Sequence, residues 1–170
     1  GVVKAGERSY TIADVPGLIE GASEGKGLGL QFLRHIERCT VILHVIDCAN
    51  LESDREPLKD YKAIVQELEN YQVENGTPLN ERPQLIALNK IDLEDGETIA
   101  KMVRPEFEKM GLEVFEVSAI SKQGLKELSF ALSALIDEHA ERQESAREVI
   151  SLVKQGPSDE FEVKPENSAE

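Results

Sequence analysis

The chain has 170 residues, 40% apolar and 5% aromatic, which is enough for one domain of ordinary size with its own core. Its 33 acidic side chains outnumber 19 basic ones for a formal charge of −14, which disfavours charge-driven binding to nucleic-acid phosphates or anionic lipid as a main activity. The apolar runs are only a few residues long, far below the roughly 20 of a membrane-spanning helix, and Gly1–Ala5 lacks the charged-then-apolar layout of a signal peptide.

In chain order, Gly1 to Lys4 reads as the tail of an edge strand and Tyr10 to Asp14 (YTIAD) as a strand. Leu28 to Arg38 follows as an amphipathic helix with apolar positions at Leu28, Phe32, Leu33 and Ile36. Val41 to Asp47 (VILHVID) is the next strand, and Pro57 to Tyr71 a helix carrying Leu58, Tyr61, Ile64, Val65 and Leu68 on one face. Gln84 to Asn89 (QLIALN) is a strand, Thr98 to Met110 a weaker helix interrupted by Pro105, and Glu113 to Ser118 (EVFEVS) a strand. Gly124 to Ala140 is the clearest helix, with Leu125, Leu128, Leu132, Leu135 and Ile136 aligned. Short β-rich runs alternating with longer helical ones predict an α/β domain with a mostly parallel, covered sheet. From Glu141 a charged helical run leads to Gly156-Pro157, and the tail beyond is too short and polar to fold alone. The expected organisation is a domain over 1–140, a helical linker over 141–158, and over 159–170 either the start of a further domain or a disordered tail.

Chemistry-bearing residues cluster where the strands end, which is where open α/β sheets place ligands. Asp14-Val15-Pro16-Gly17 follows the first strand. An Asp there can hold a water of a hard cation such as Mg²⁺, and a Gly three residues on lets its backbone N–H approach a phosphate oxygen. Asn89-Lys90-Ile91-Asp92 ends the third strand. Asp92 can accept from both the ring N–H and the exocyclic amine of guanine, a donor pair adenine lacks. Asn89 can read the guanine acceptor edge or brace a neighbouring loop, and the stem of Lys90 can lie across the base face. Ser118-Ala119-Ile120 follows the last strand, where a small residue lets a backbone N–H approach a base carbonyl. The order of the three motifs, each at a strand's carboxyl end, makes their joint occurrence specific. His35, Cys39, His44 and Cys48 superficially suggest zinc, but His44 lies mid-strand in an apolar run, where a hydrogen-bonded core histidine is expected, and the two cysteines read as reduced thiols.

With these motifs in place, the chain resembles the GTP-binding domain of P-loop GTPases and, more narrowly, the Obg family. The stretch DVPGLIEGASEGKGLGLQFLRHIERC (Asp14 to Cys39), followed by VILHVID, is similar to that family's switch II, following helix and next strand, and the resemblance covers about residues 1 to 140. It implies a three-layer fold, Mg²⁺-water contact by Asp14, and γ-phosphate sensing by Gly17 within Asp14, Val15, Pro16 and Gly17. It also implies guanine recognition by Asn89, Lys90, Ile91 and Asp92 with Ser118, Ala119 and Ile120. The implied activity is GTP binding with slow hydrolysis to GDP and phosphate in a cytoplasmic, monomeric protein acting in large ribosomal subunit assembly. Asp159 to Val163 looks like the opening of a C-terminal domain some members carry.

No stretch fits G-x-x-x-x-G-K-[ST]. Gly21 to Gly27 has three residues between its first two glycines, and Gly27 where Ser or Thr must bind Mg²⁺. The family's phosphate loop and switch I threonine are therefore expected upstream of Gly1. The strand before that loop would sit between those at Tyr10 and Val41, so the isolated chain is expected to have a gap in its sheet and to fold poorly. Leu18 stands where many GTPases place a water-orienting Gln, and an alkyl group cannot hydrogen-bond a nucleophile. Glu20 and His35 are the nearby polar groups, and no catalytic residue is assigned. Leu30 follows Gly29 where many members have His. The glycines at 21, 25, 27 and 29 suit a segment that orders around a γ-phosphate. The competing expectation is a non-catalytic GTPase-like module that binds protein or RNA.

Overall fold

The computed structural model describes residues 1–15, 29–49, 56–73 and 76–154. In chain order its elements are β1 (Val2–Ala5), β2 (Arg8–Thr11), α1 (Gly29–Ile36), β3 (Ile42–Asp47), α2 (Pro57–Asn70), a 3-10 turn at Leu79–Glu81, β4 (Gln84–Asn89), α3 (Glu94–Lys109), β5 (Glu113–Glu116) and α4 (Leu125–Lys154). Gly1–Asp137 forms one compact unit and Glu138–Glu170 a second, helical through Lys154.

The strands β3, β4 and β5 lie side by side and parallel, in register from Ile42 opposite Gln84 to Asp47 opposite Asn89, and from Leu85 opposite Glu113 to Leu88 opposite Glu116. A parallel sheet must be covered on both faces, and the side chains of β4 divide accordingly. Ile86 and Leu88 enter one core with Tyr61 of α2 and Ala100 and Phe107 of α3, whereas Leu85 and Ala87 enter another with Leu128 and Leu132 of α4. The chain is thus α/β with helices on either side of a parallel sheet. A third cluster, Leu33, Ile36, Leu68 and Leu79, fastens α1 to α2 and the 3-10 turn.

Two expectations are corrected. The first strand spans Arg8–Thr11 rather than Tyr10 to Asp14, because it is the second arm of an antiparallel hairpin that pairs Ala5 with Arg8 through Val2 with Thr11, with Gly1 and Ile12 also bonded through their backbones. The hairpin lies on α4: Tyr10 joins the Leu128 and Leu132 core, its hydroxyl donates to Ser129 Oγ at 3.3 Å, and Arg8 pairs with Asp137. Second, α3 is not interrupted at Pro105 but runs through it. A proline inside a helix removes one backbone hydrogen bond at a cost of about 3 kcal/mol. Here Ala100 and Phe107, both fully buried, anchor the helix on either side of it, and the Lys101–Glu97 and Arg104–Glu108 pairs add local support.

Candidate functional site

Parallel strands end on one side of their sheet, so the residues after β3, β4 and β5 share an edge. Two loops far apart in sequence meet there. Ser118, fully buried, donates from its hydroxyl to Asp92 Oδ1 at 2.6 Å and accepts the Ser121 N–H at 3.0 Å. Asn89 Oδ1 accepts the Ala119 N–H at 3.1 Å. Backbone bonds add to this stitching: Val117 N–H to Leu88 O at 2.8 Å, Ile91 N–H to Val117 O at 3.3 Å and Ser118 N–H to Gln123 O at 3.0 Å. The turn that returns the chain to α4 requires glycine at 124, where φ is +70° and a Cβ would lie 2.3 Å from the Glu116 carbonyl oxygen.

Of the two roles the sequence leaves open for Asn89, the bracing of the neighbouring loop is made by Oδ1, a contact that does not involve the side-chain amide nitrogen. The Ala119 amide, expected to approach a base carbonyl, is here bonded to Asn89. Asp92 is exposed and tied through one oxygen, and a carboxylate has about four lone-pair sites, so the bond from Ser118 orients it while leaving capacity for a planar pair of donors. Ile91 packs against the Ile86 and Leu88 core and anchors the loop, whereas Ile120 is 84% exposed.

Lys90 adopts φ +70°, and its ammonium lies 2.6 Å from Asp47 Oδ2 across the ends of β3 and β4. Asp47 Oδ1 accepts the Ala49 N–H at 3.0 Å. The Lys90 carbonyl accepts the Leu93 N–H at 3.1 Å, and a Cβ on Gly96 would come within 2.1 Å of that oxygen. Sequence reasoning missed Asp47 and Gly96 as parts of this cluster. Asp47 did carry a signal, a polar residue closing an apolar strand, but Gly96 sits unmarked in an acidic first turn.

Asp14 and Val15 lie beyond the end of β2. They line a groove of about 420 Å³ with Ile36 and Val41 to Val45, and the groove includes none of Asn89 to Asp92 or Ser118 to Ile120. Val15 packs on the Leu33 and Ile36 cluster, and Asp14 is exposed. Among the described residues no three His, Cys, Asp or Glu side chains converge on one point. One exposed carboxylate fits Mg²⁺, which keeps most of its waters and takes one or two carboxylates plus phosphate oxygens. Pro16, Gly17, Leu18, Glu20 and the glycines at 21, 25 and 27 lie outside the described residues, as does Asp159 to Val163. Gly29 and Leu30 open α1.

His44 is buried, its Nε2 lies 2.9 Å from Gln84 Oε1, and the ring meets Tyr61 edge-on at 5.0 Å. Burial holds its pKa below the ordinary value, partly offset by the bond to Gln84. Cys48 is buried, and desolvation, aided by the Asp47 and Glu116 charges, pushes its thiol up to about 11. These are core groups rather than a metal centre.

A family model described as 50S ribosome-binding GTPase matches residues 1–90. The chain is 55% identical over 163 residues to the GTPase Obg of Bifidobacterium animalis subsp. lactis (strain AD011), which covers 91% of this chain and 29% of that protein. It therefore spans less than a third of that relative's length. Among solved structures, nucleolar GTP-binding protein 1 from Plasmodium falciparum is similar with a TM-score of 0.58 at 18% identity, covering 91% of this chain and 78% of that one, a likeness of fold. Identity of this level across most of the chain, on an α/β scaffold with the Asn89 and Ser118 loops joined at its carboxyl edge, means that the chain belongs to the Obg family of GTPases.

Proposed function

We propose that this chain carries the base-reading part of a GTPase that binds GTP with Mg²⁺ and hydrolyses it slowly to GDP and phosphate. The observation that supports it most is the 2.6 Å bond from Ser118 to Asp92, which ties two motif loops into one recognition surface. Asp92 accepts from the guanine N1–H and 2-amino group, a pairing adenine cannot offer. Asn89 holds the Ser118-Ala119 loop in place, the stem of Lys90 covers the base face, and Ile91 and Ile120 flank it from the core and solvent sides. Asp14 would hold a Mg²⁺-bound water, with Val15, Pro16 and Gly17 toward the γ-phosphate, and a bound Mg²⁺ would supply charge neutralisation at the phosphate oxygens. Leu18 cannot orient a water, so intrinsic hydrolysis is slow.

No phosphate-loop motif lies within the 170 residues, so this chain by itself does not turn over GTP. The domain boundaries proposed are 1–140 for the nucleotide domain, 141–158 for a helical linker and 159–170 for the start of a further domain or a tail. The description of the matching family, 50S ribosome-binding GTPase, supports the large ribosomal subunit as partner; that the GTP-bound form acts in the assembly of that subunit, as a monomer in the cytoplasm, is part of the same proposal. No described helix is long and apolar enough to cross a membrane.

Fluorescent GDP binding, with ADP as competitor, tests the base-reading role in the full-length protein and in this chain. Guanine should outcompete adenine in the full-length protein, and Asp92→Asn should move the preference toward xanthine, whose 2-carbonyl accepts from an amide. Equal competition by ADP would overturn the assignment.

A further inference from the structure

Lys90 occupies the left-handed region at φ +70°, where a side chain with a Cβ is disfavoured, so the surrounding structure must hold it there. It is held at both ends. Its carbonyl accepts the Leu93 N–H at the start of α3 and presses into the place where a Cβ on Gly96 would stand, 2.1 Å from the oxygen. The obstructing atom is backbone, so no side chain can swing aside to relieve the clash. Ala49 Cβ lies 3.6 Å from the same point, which brings the chain after β3, the chain after β4 and the first turn of α3 together. At the other end the ammonium rests on Asp47 Oδ2 at 2.6 Å, and the carboxylate is itself oriented by the Ala49 N–H on Oδ1 at 3.0 Å.

We propose that Asp47 and Gly96 are positioning residues for base recognition: Asp47 aims the Lys90 stem across the ends of β3 and β4, and Gly96 lets α3 fix the backbone of the Asn89 to Asp92 loop. This rests on the assignment of that loop as the guanine reader. Both partners of the ion pair are roughly half exposed, so it adds little to stability, and its effect lies in direction. A flexible four-carbon stem samples many rotamers unless its head is held, and a held stem presents a fixed apolar surface to a base.

The test measures GDP, IDP and ADP affinity in the full-length protein, IDP lacking the exocyclic amine that Asp92 reads. Gly96→Ala should weaken GDP by about tenfold, the loss of one hydrogen bond to a charged group, and bring the GDP to IDP ratio toward one. Asp47→Asn should weaken GDP by about threefold at unchanged melting temperature, the size an exposed ion pair supports. Asp47→Glu should restore part of the loss. In a Lys90→Met background the Asp47→Asn effect should shrink, since the part of it that passes through Lys90 has nothing left to aim. If Gly96→Ala does not fold, the Asp47 and Lys90 cycle decides. Wild-type affinity in Asp47→Asn, or an equal loss with and without Lys90, overturns the proposal. Failure of the loop assignment looks different, because the wild type itself would then not prefer GDP to ADP.

Discussion

One hydroxyl, that of Ser118, both orients the carboxylate of Asp92 and satisfies the Ser121 amide, and it does so from full burial. Ser118→Ala should therefore lower GDP affinity in the full-length protein by about tenfold, the value of one hydrogen bond to a charged group, as read by fluorescent GDP titration. Asn89, Asp92 and Ser118 were legible in the sequence because each sits where an apolar strand stops. That Ser118 bonds Asp92 was not, since the partner of a hydroxyl depends on where a residue 26 positions away comes to lie. The same holds for Gly96, whose meaning lies in the atom a Cβ would strike. His44 offers a second residue-scale outcome. Its folded pKa lies below the ordinary 6.5, so in moderately acidic solution the unfolded chain binds a proton that the folded one does not. The stability it contributes is complete above that ordinary value and is lost as pH falls toward the lowered one. Melting temperature should drop on this side of neutrality, and His44→Gln should remove that part of the slope.

At the scale of elements, the end of α1 shows how a helix terminus is closed from outside. The Leu33, His35 and Ile36 carbonyls accept the Glu37, Arg38 and Cys39 N–H groups, and Arg82 adds a charged donor, through Nη1 to Ile36 O at 2.6 Å and to Cys39 O in the segment that follows. A lysine lacks the planar fork that reaches several carbonyls at once. Arg82→Lys should cost about 1–2 kcal/mol in urea unfolding, the range for losing a hydrogen bond to a charged group. Element ends were less legible than their existence. The helix expected from Thr98 begins at Glu94, because Glu94, Asp95 and Glu97 suit the positive end of the helix dipole yet are silent to an apolar periodicity. The break expected at Pro105 fails because burial of Ala100 and Phe107 outweighs a local penalty. The start of the first strand was misjudged because it is set by the turn to its hairpin partner, Val2–Ala5, not by its own residues.

For the molecule as a whole, alternation of strand-like and helix-like runs sufficed for the fold class, and the described strands fall into a hairpin and a separate three-stranded sheet, divided between Tyr10 and Val41 where a gap was expected. Among the described strands β3 pairs only with β4, and Val45 on it is 62% exposed beside the groove lined by Ile12 to Val15. An unpaired edge presents a row of backbone donors and acceptors, and natural proteins blunt such edges with charge or cover. β3 reads Ile-Leu-His-Val-Ile-Asp, with its charge only at the far end. Concentrated solutions of the 170-residue chain should therefore scatter light increasingly with concentration, and Val45→Lys should suppress the effect; scattering indifferent to that change would exclude the β3 edge as its source. The strand that carries Asp47 toward the base-reading loop is thus also the strand whose open flank sets how the 170-residue chain behaves at high concentration.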